Sequence, residues 1–276
     1  MSARPARLRS LRVVTDAIFI LDGDWLIPQP TACGPWFPGV QHGGAVAGVV
    51  ARAIEQTPAA APMMLTRLSV DMSRKVPMGR TKVDVEIVRD GRRVQALECR
   101  YVVDDEVVGR ASAMRIRIDD TAVPPEQQIP AWPEDAVVRG PADVPETDFS
   151  FGGVDFVQNF TMLRDEREPG RTVGWMKLNV PFVEGEVTSP MVFAAAVADM
   201  IPSAGSVMDF EKFLSVNPDL SMHFHRQPEG EWIGHTALVR VSPLGFGQTD
   251  AELFDESGAI GRSLKSLLID PREASH

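Results

Sequence analysis

Apolar and polar positions along the chain form the same series twice. From Ala45 to Gln56 small and branched apolar residues dominate, broken by Arg52 and Glu55, with Gly43-Gly44 in front and Pro58 behind. That punctuation predicts a helix, although valines are indifferent helix formers. Strand-like runs follow. Leu65–Met72 alternates in part, and Lys82–Arg89 alternates cleanly, with Val83, Val85 and Ile87 on one face. Asp90-Gly91 is a hairpin signal leading into a strand over Arg92–Val103. Asp104-Asp105 predicts a turn into a last strand, Val107–Ile118. In the second half Thr172–Val180 reads as a strand. Ser189 and Pro190 then stand as cap and first residue of a helix, Met191–Met200, which Pro202 stops. Strands are expected over Leu220–Arg226, Glu231–Val241, Gly247–Phe254 and Gly261–Ile269, with a turn at Glu256-Ser257-Gly258.

The two halves also share residues. Leu68-Ser69-Val70-Asp71-Met72-Ser73-Arg74 matches Leu220-Ser221-Met222-His223-Phe224-His225-Arg226, and Ser69 stands 152 residues before Ser221. Val108-Gly109-Arg110-Ala111-Ser112 matches Ile260-Gly261-Arg262-Ser263-Leu264 at the same offset. Two matches at one offset predict two copies of one structural unit. A helix followed by an antiparallel meander, twice over, predicts an α+β fold with a curled antiparallel sheet around a helix in each half. The expected boundaries are 1–118 and 150–276. Between them Asp119–Phe149, with Pro124, Pro125, Pro130, Pro133, Pro141 and Pro145, reads as a linker crossing the surface.

At 276 residues and 44% hydrophobic, the chain can bury a large core. A net charge of -10 argues against a nucleic-acid partner, which would need a basic patch or stripe. Cys33 and Cys99, the only cysteines, form no disulfide framework, which points to a reducing, cytoplasmic setting. No apolar run approaches the roughly 18 residues of a membrane span. Arg4, Arg7, Arg9 and Arg12 read as a basic tail, and no secretory leader is expected.

Gly34-Pro35-Trp36, His42-Gly43-Gly44-Ala45, Arg89-Asp90-Gly91-Arg92-Arg93-Val94-Gln95, Ala198-Asp199, Asp219 to Arg226 and Gly261-Arg262-Ser263 follow one another in an order that resembles the double-hotdog acyl-CoA thioesterases. The resemblance implies two fused hotdog units and hydrolysis of a fatty or aromatic acyl-CoA to the acid and coenzyme A. It implies no metal or redox cofactor, and hotdog sheets commonly pair further into homo-oligomers.

The residues themselves suggest where such chemistry would sit. Gly43-Gly44 before a helix offers backbone N–H groups and a dipole to a developing oxyanion, or simply a tight entry to the helix. His42 is a candidate to orient substrate or position water, or to cap the helix. Asp199 is the only charge in Ala194-Ala195-Ala196-Val197-Ala198-Asp199-Met200. Burial there would raise its pKa and make it a better base, unless it faces solvent at the helix end. The resemblance assigns Asp199 to the water-activating carboxylate. It departs at two further positions. Asn217 stands where a Ser or Thr is usual, and Lys265 or Ser266 where a Gln is usual. Lys265 beside Asp199 would lower that carboxyl's pKa, so a slow thioesterase, or an acyl-CoA or acyl-carrier-protein binder without turnover, is the alternative. Arg89, Arg92 and Arg93 are candidates for the phosphates of coenzyme A, or a solvated turn.

Aligning the helix starts sets His42-Gly43-Gly44 over Ser189-Pro190-Met191, and Arg52 over Asp199. Pro190 has no N–H to donate. One composite site and one degenerate one are therefore expected. His223-x-His225 lies on one strand face with no third ligand, which reads as structural rather than metal-binding. There is no Gly-x-Ser-x-Gly elbow, Gly245-Phe246-Gly247 lacks the rest of a dinucleotide loop, and the hotdog hydratase motif is absent.

Overall fold

The computed structural model describes residues 17–127, 140–145, 156–202 and 206–272. The arginines at 4, 7, 9 and 12 and much of the expected linker lie outside these residues.

The described residues form one 13-stranded sheet and two α-helices, with a few 3-10 turns. In chain order the elements are β1 (Phe19–Asp22), β2 (Trp25–Pro28), α1 (Gly43–Gln56), β3 (Met63–Asp71), β4 (Thr81–Asp90), β5 (Val94–Val103) and β6 (Glu106–Arg117). Then come β7 (Phe160–Glu168), β8 (Arg171–Leu178), α2 (Pro190–Met200), β9 (Phe213–Val216), β10 (Asp219–Phe224), β11 (Trp232–Ser242), β12 (Phe246–Asp255) and β13 (Gly258–Pro271). Every ladder is antiparallel. The order is β1-β2-β4-β5-β6-β3-β10-β13-β12-β11-β8-β7, with β9 added on β13. Read inwards from the two edges, it is the same path twice.

The two paths meet at β3 and β10. Ser69 stands opposite Ser221 in that ladder, and their hydroxyls are 3.1 Å apart. Leu68 faces Met222 while Leu220 faces Val70. An antiparallel pair centred on repeat-equivalent residues is what a local two-fold axis produces. The repeated sequence therefore lies on the seam of the sheet.

Both helices form where the punctuation predicts. His42 caps α1 by accepting from the Gly44 N–H, and Ser189 caps α2 by accepting from the Val192 N–H. α1 packs on β3, β4 and β5, and α2 on β10. The helices also pack on each other, and small residues let their backbones approach closely. A Cβ on Gly44 would lie 2.6 Å from the Ala196 carbonyl oxygen. α2 is buried along its length, and both helices enter one apolar core with the inner face of the sheet.

Some local expectations shift. β1, β2, β7 and β9 carry too little alternation to announce themselves. β1 and β2 are four residues each, joined at Gly23 with φ 60°. The β4–β5 connection is wider than the two-residue turn Asp90-Gly91 suggests, because Asp90 pairs with Gln95 and Gly91–Val94 close the loop. Asp104 and Asp105 do form a tight turn, both at positive φ (47° and 69°). Of the linker, Val144 packs with Val173, Trp175 and Phe254 on the sheet face away from the helices. No helix among the described residues is long and apolar enough to cross a membrane.

Candidate active site

The close helix crossing sets the site. The start of α1 lies against the end of α2, so a Cβ on Gly43 would sit 2.6 Å from both carboxylate oxygens of Asp199. Glycine is the residue that leaves room for that carboxylate. Asp199 is 6% exposed. The Asn217 side-chain amide donates to its Oδ1 at 2.7 Å, and His42 Nδ1 lies 3.1 Å from its Oδ2. Asn217 also donates to the Asp219 carbonyl, so the two donors of its amide are engaged and its Oδ1 is the acceptor left over.

Burial pushes the Asp199 pKa up, as the sequence leads one to expect. The His42 contact, the Lys265 charge and the Asn217 hydrogen bond more than offset it, and the carboxyl is held well below the usual range. Asp199 is thus a firmly ionised carboxylate rather than a base tuned toward neutrality.

His42 Nδ1 has a second neighbour, the Gly44 N–H at 2.9 Å. One ring nitrogen either accepts or donates, so the two contacts exclude each other. With its proton on Nε2, His42 accepts from Gly44 and caps α1. With its proton on Nδ1, it donates to Asp199 and leaves the Gly44 N–H free. Phe156 stacks on the ring, with centroids 4.7 Å apart, and fixes its plane.

Lys265 is buried on β13, and Ser266 beside it is exposed, so Lys265 is the inward residue of that pair. Its ammonium does not bond the carboxylate. It donates to the main-chain carbonyls of Asp199 and Ile201, each at 2.7 Å, and so ties off the end of α2. Burial lowers its pKa, and the Asp199 charge opposes that. Arg115 on β6 does the same for α1, donating to the carbonyls of Ile54 and Thr57.

These residues open onto a cavity of about 610 Å³. Met162, Met176, Met200 and Ile201 line its apolar part, and Trp36, Phe37, Arg74 and Lys75 also line it. Arg74 and Lys75 are exposed, while Met176 and Ile201 are buried, so the cavity runs from a mouth that carries basic residues to a buried interior. Arg89, Arg92 and Arg93 do not line it. Ten residues of β4 span roughly 30 Å. Thr81 at its start bonds Gln41, beside His42, and the arginines sit around its far end. Arg74 and Lys75 are the basic residues at the mouth, and nothing in their sequence setting singles them out. His223 on β10 and His225, just past its end, are exposed. Among the described residues no group of His, Cys, Asp and Glu could hold a metal. His235, fully buried on the cavity wall, is one that sequence reasoning passes over. The signal was there: Ile233, Ala237 and Val239 alternate along β11, and His235 falls among them.

At the symmetry-related place, Arg52 stands where Asp199 does and forms a bidentate pair with Glu186 (Nε to Oε2, 2.7 Å). Ser189 donates to Glu55, and the remaining space is about 120 Å³.

Two family models match the chain, an acyl-CoA thioesterase N-terminal domain over residues 33–116 and an acyl-CoA thioesterase C-terminal domain over residues 121–269. No curated protein matches it in sequence. Among solved structures it is similar to a proposed thioesterase II from Thermobifida fusca (TM-score 0.71, 12% identity, 91% of this chain and 95% of that one). It is similar to a hot dog fold protein from Alicyclobacillus acidocaldarius (0.70, 16%, 94% and 98%). It is also similar to the tesB protein of Mycobacterium avium subspecies paratuberculosis (0.65, 16%, 92% and 96%). At these identities the structures speak to the fold, which is of the hot dog type, and the two models over most of the chain show that it belongs to the acyl-CoA thioesterase family.

Proposed function

We propose that the chain hydrolyses an acyl-CoA thioester at one composite site between two hotdog units. The units are residues 1–118 and 150–276, each a curled sheet around its helix, with 119–149 as the link. The observation that carries this is the Asp199 carboxylate lying against Gly43 at the helix start of the other unit. Substrate binds with its thioester carbonyl over Gly43 and Gly44, whose N–H groups and helix dipole favour the oxyanion. Donation from His42 to Asp199 releases the Gly44 N–H for that task. A water held by Asp199 and the Asn217 oxygen attacks the carbonyl carbon. The carbon–sulfur bond breaks, the thiolate leaves, and a water proton ends on sulfur. The acyl chain occupies the apolar part of the cavity, which is of ordinary ligand size. Arg74 and Lys75, rather than the hairpin arginines, meet the phosphates of coenzyme A. Lys265 acts on Asp199 through space and through the helix end it holds.

One observation favours the alternative, an acyl-CoA binder with little turnover. A carboxylate held ionised well below its usual range is a weak general base. Release of free thiol from a panel of acyl-CoAs decides between them. We expect turnover that falls about a hundredfold or more in Asp199→Asn, with the dissociation constant kept within a few-fold. Binding without thiol release from any ester would establish the alternative. Turnover unchanged in Asp199→Asn would remove Asp199 from the reaction.

A further inference from the structure

His235 has no role in the chemistry above, yet it is the most exceptional polar residue on the cavity wall. It is 1% exposed, and neither ring nitrogen has a hydrogen-bond partner among the described residues. A buried, unpaired polar side chain is a standing cost to the fold, which leucine or methionine would not carry. The neighbourhood is arranged around the ring. Gly174 on β8 stands directly opposite His235 on β11, and a Cβ on Gly174 would lie 2.6 Å from the ring's Cε1. Arg164 on β7 is opposite Gly174 on its other side, so Arg164, Gly174 and His235 form one row across three strands, facing the same way. Arg164 and His235 both line the cavity.

We propose that His235 recognises a hydroxyl group on the acyl chain, remote from the thioester, so that the preferred substrate is a hydroxyacyl-CoA rather than a plain hydrocarbon ester. Burial, with the charges of Arg164 and Lys265, drives the imidazole's pKa down to about 3. The ring is therefore neutral and offers one N–H donor and one lone pair. A hydroxyl supplies the complementary acceptor and donor. A carboxylate would engage the N–H and leave the ring's lone pair without a donor, and the Arg164 guanidinium in the same row already has Glu166 as its anion, at 3.9 Å. Met162, Met176 and Ile201 on the same wall offer the chain only apolar surface.

This inference rests on the thioesterase reading and is tested with it. The experiment compares kcat/KM for acyl-CoAs of one chain length: unsubstituted, hydroxylated at successive carbons, and carrying a terminal carboxylate. The wild-type protein should favour one hydroxylated isomer over the unsubstituted ester by at least about tenfold, since a site built to bond a hydroxyl rejects its absence strongly. His235→Leu should lose that preference while keeping kcat/KM for the unsubstituted ester within about threefold, and its melting temperature should not fall. His235→Phe, which keeps a ring over Gly174, serves as the second variant if the leucine protein is poorly folded. Equal use of hydroxylated and plain chains, preference for the carboxylated one, or a preference that survives both variants overturns the proposal. Where esters bind without turnover, the same comparison is made in dissociation constants by calorimetry. Binding without preference then overturns the role of His235 alone, and no binding of any ester overturns the thioesterase reading as well.

Discussion

At the scale of single residues, the site turns on how little space separates Gly43 from Asp199. A methyl group on Gly43 would meet both carboxylate oxygens at 2.6 Å, so the carboxylate must move or the helices must part. Gly43→Ala should lower kcat/KM by about a hundredfold, the usual cost of displacing a catalytic group by an ångström, while circular dichroism stays unchanged; near-normal turnover would show that Asp199 has room to spare. The depressed pKa of Asp199 has a second consequence. A carboxyl with a lower pKa folded than unfolded contributes stability above its unfolded value, about 3.9, and loses it as pH falls through the folded value. The stability gap between wild type and Asp199→Asn should therefore be present at about pH 5 and narrow below about pH 4. Urea unfolding between about pH 2 and 6 checks it, and a gap that widens as pH falls through that range would mean the carboxyl is not held ionised. Asp199 could be found in the sequence because it is the lone charge in an apolar helix. The balance of its pKa shift could not, because burial pushes up, the Lys265 charge pulls down as expected, and the hydrogen bonds that tip it come from residues 42 and 217.

At the scale of elements, Lys265 and Arg115 show what strand phase can and cannot reveal. Alternation along β13 places Lys265 inside, but only the packed structure shows its ammonium on the last carbonyls of α2 rather than on the carboxylate. Arg115 and Gln95 hold the end of α1 in the same manner. Each buried cation donates to carbonyls at the end of a helix, where intrahelical donors run out. Lys265→Met and Arg115→Met should each cost about 2 kcal/mol of stability. They should differ in function. α2 carries Asp199 at its end, so Lys265→Met should also lower kcat, whereas Arg115 holds a helix end far from Gly43 and its loss should leave kcat alone. Equal loss of kcat in both variants would mean that the two helices shift as one. The helices were readable because caps, prolines and small residues are local signals. β1, β2 and β9 were not, because four-residue strands exist only by pairing with distant partners. The hairpin arginines stand off the cavity for a related reason. A turn motif reports its own geometry, and the length of β4 decides which end of the sheet it occupies.

At the scale of the whole molecule, the near two-fold arrangement about Ser69 and Ser221 makes two equivalent places, and their side chains differ. At the first, two glycines open α1, a carboxylate closes α2, and a cavity of about 610 Å³ adjoins them. At the second, Pro190 removes an N–H from the start of α2. Arg52 replaces the carboxylate and is neutralised by Glu186, Ser189 is taken up by Glu55, and about 120 Å³ remains. That volume suits a few waters rather than an acyl chain. The Arg52–Glu186 pair is also partly shielded, with side chains 16% and 34% exposed, so a ligand entering there would have to break a bidentate ion pair and supply a substitute for it. Titration of the Asp199→Asn protein with a slowly hydrolysed acyl-CoA should therefore give one ligand per chain in calorimetry. A second ligand of equal affinity would mean that the Arg52 end opens on binding. Converting Arg52→Asp should not create a second site by itself, because the proline, the missing cavity and the unpaired Glu186 would remain. Asymmetry spread over that many residues, with a shared sheet left intact, is the pattern that the proposed single composite site predicts.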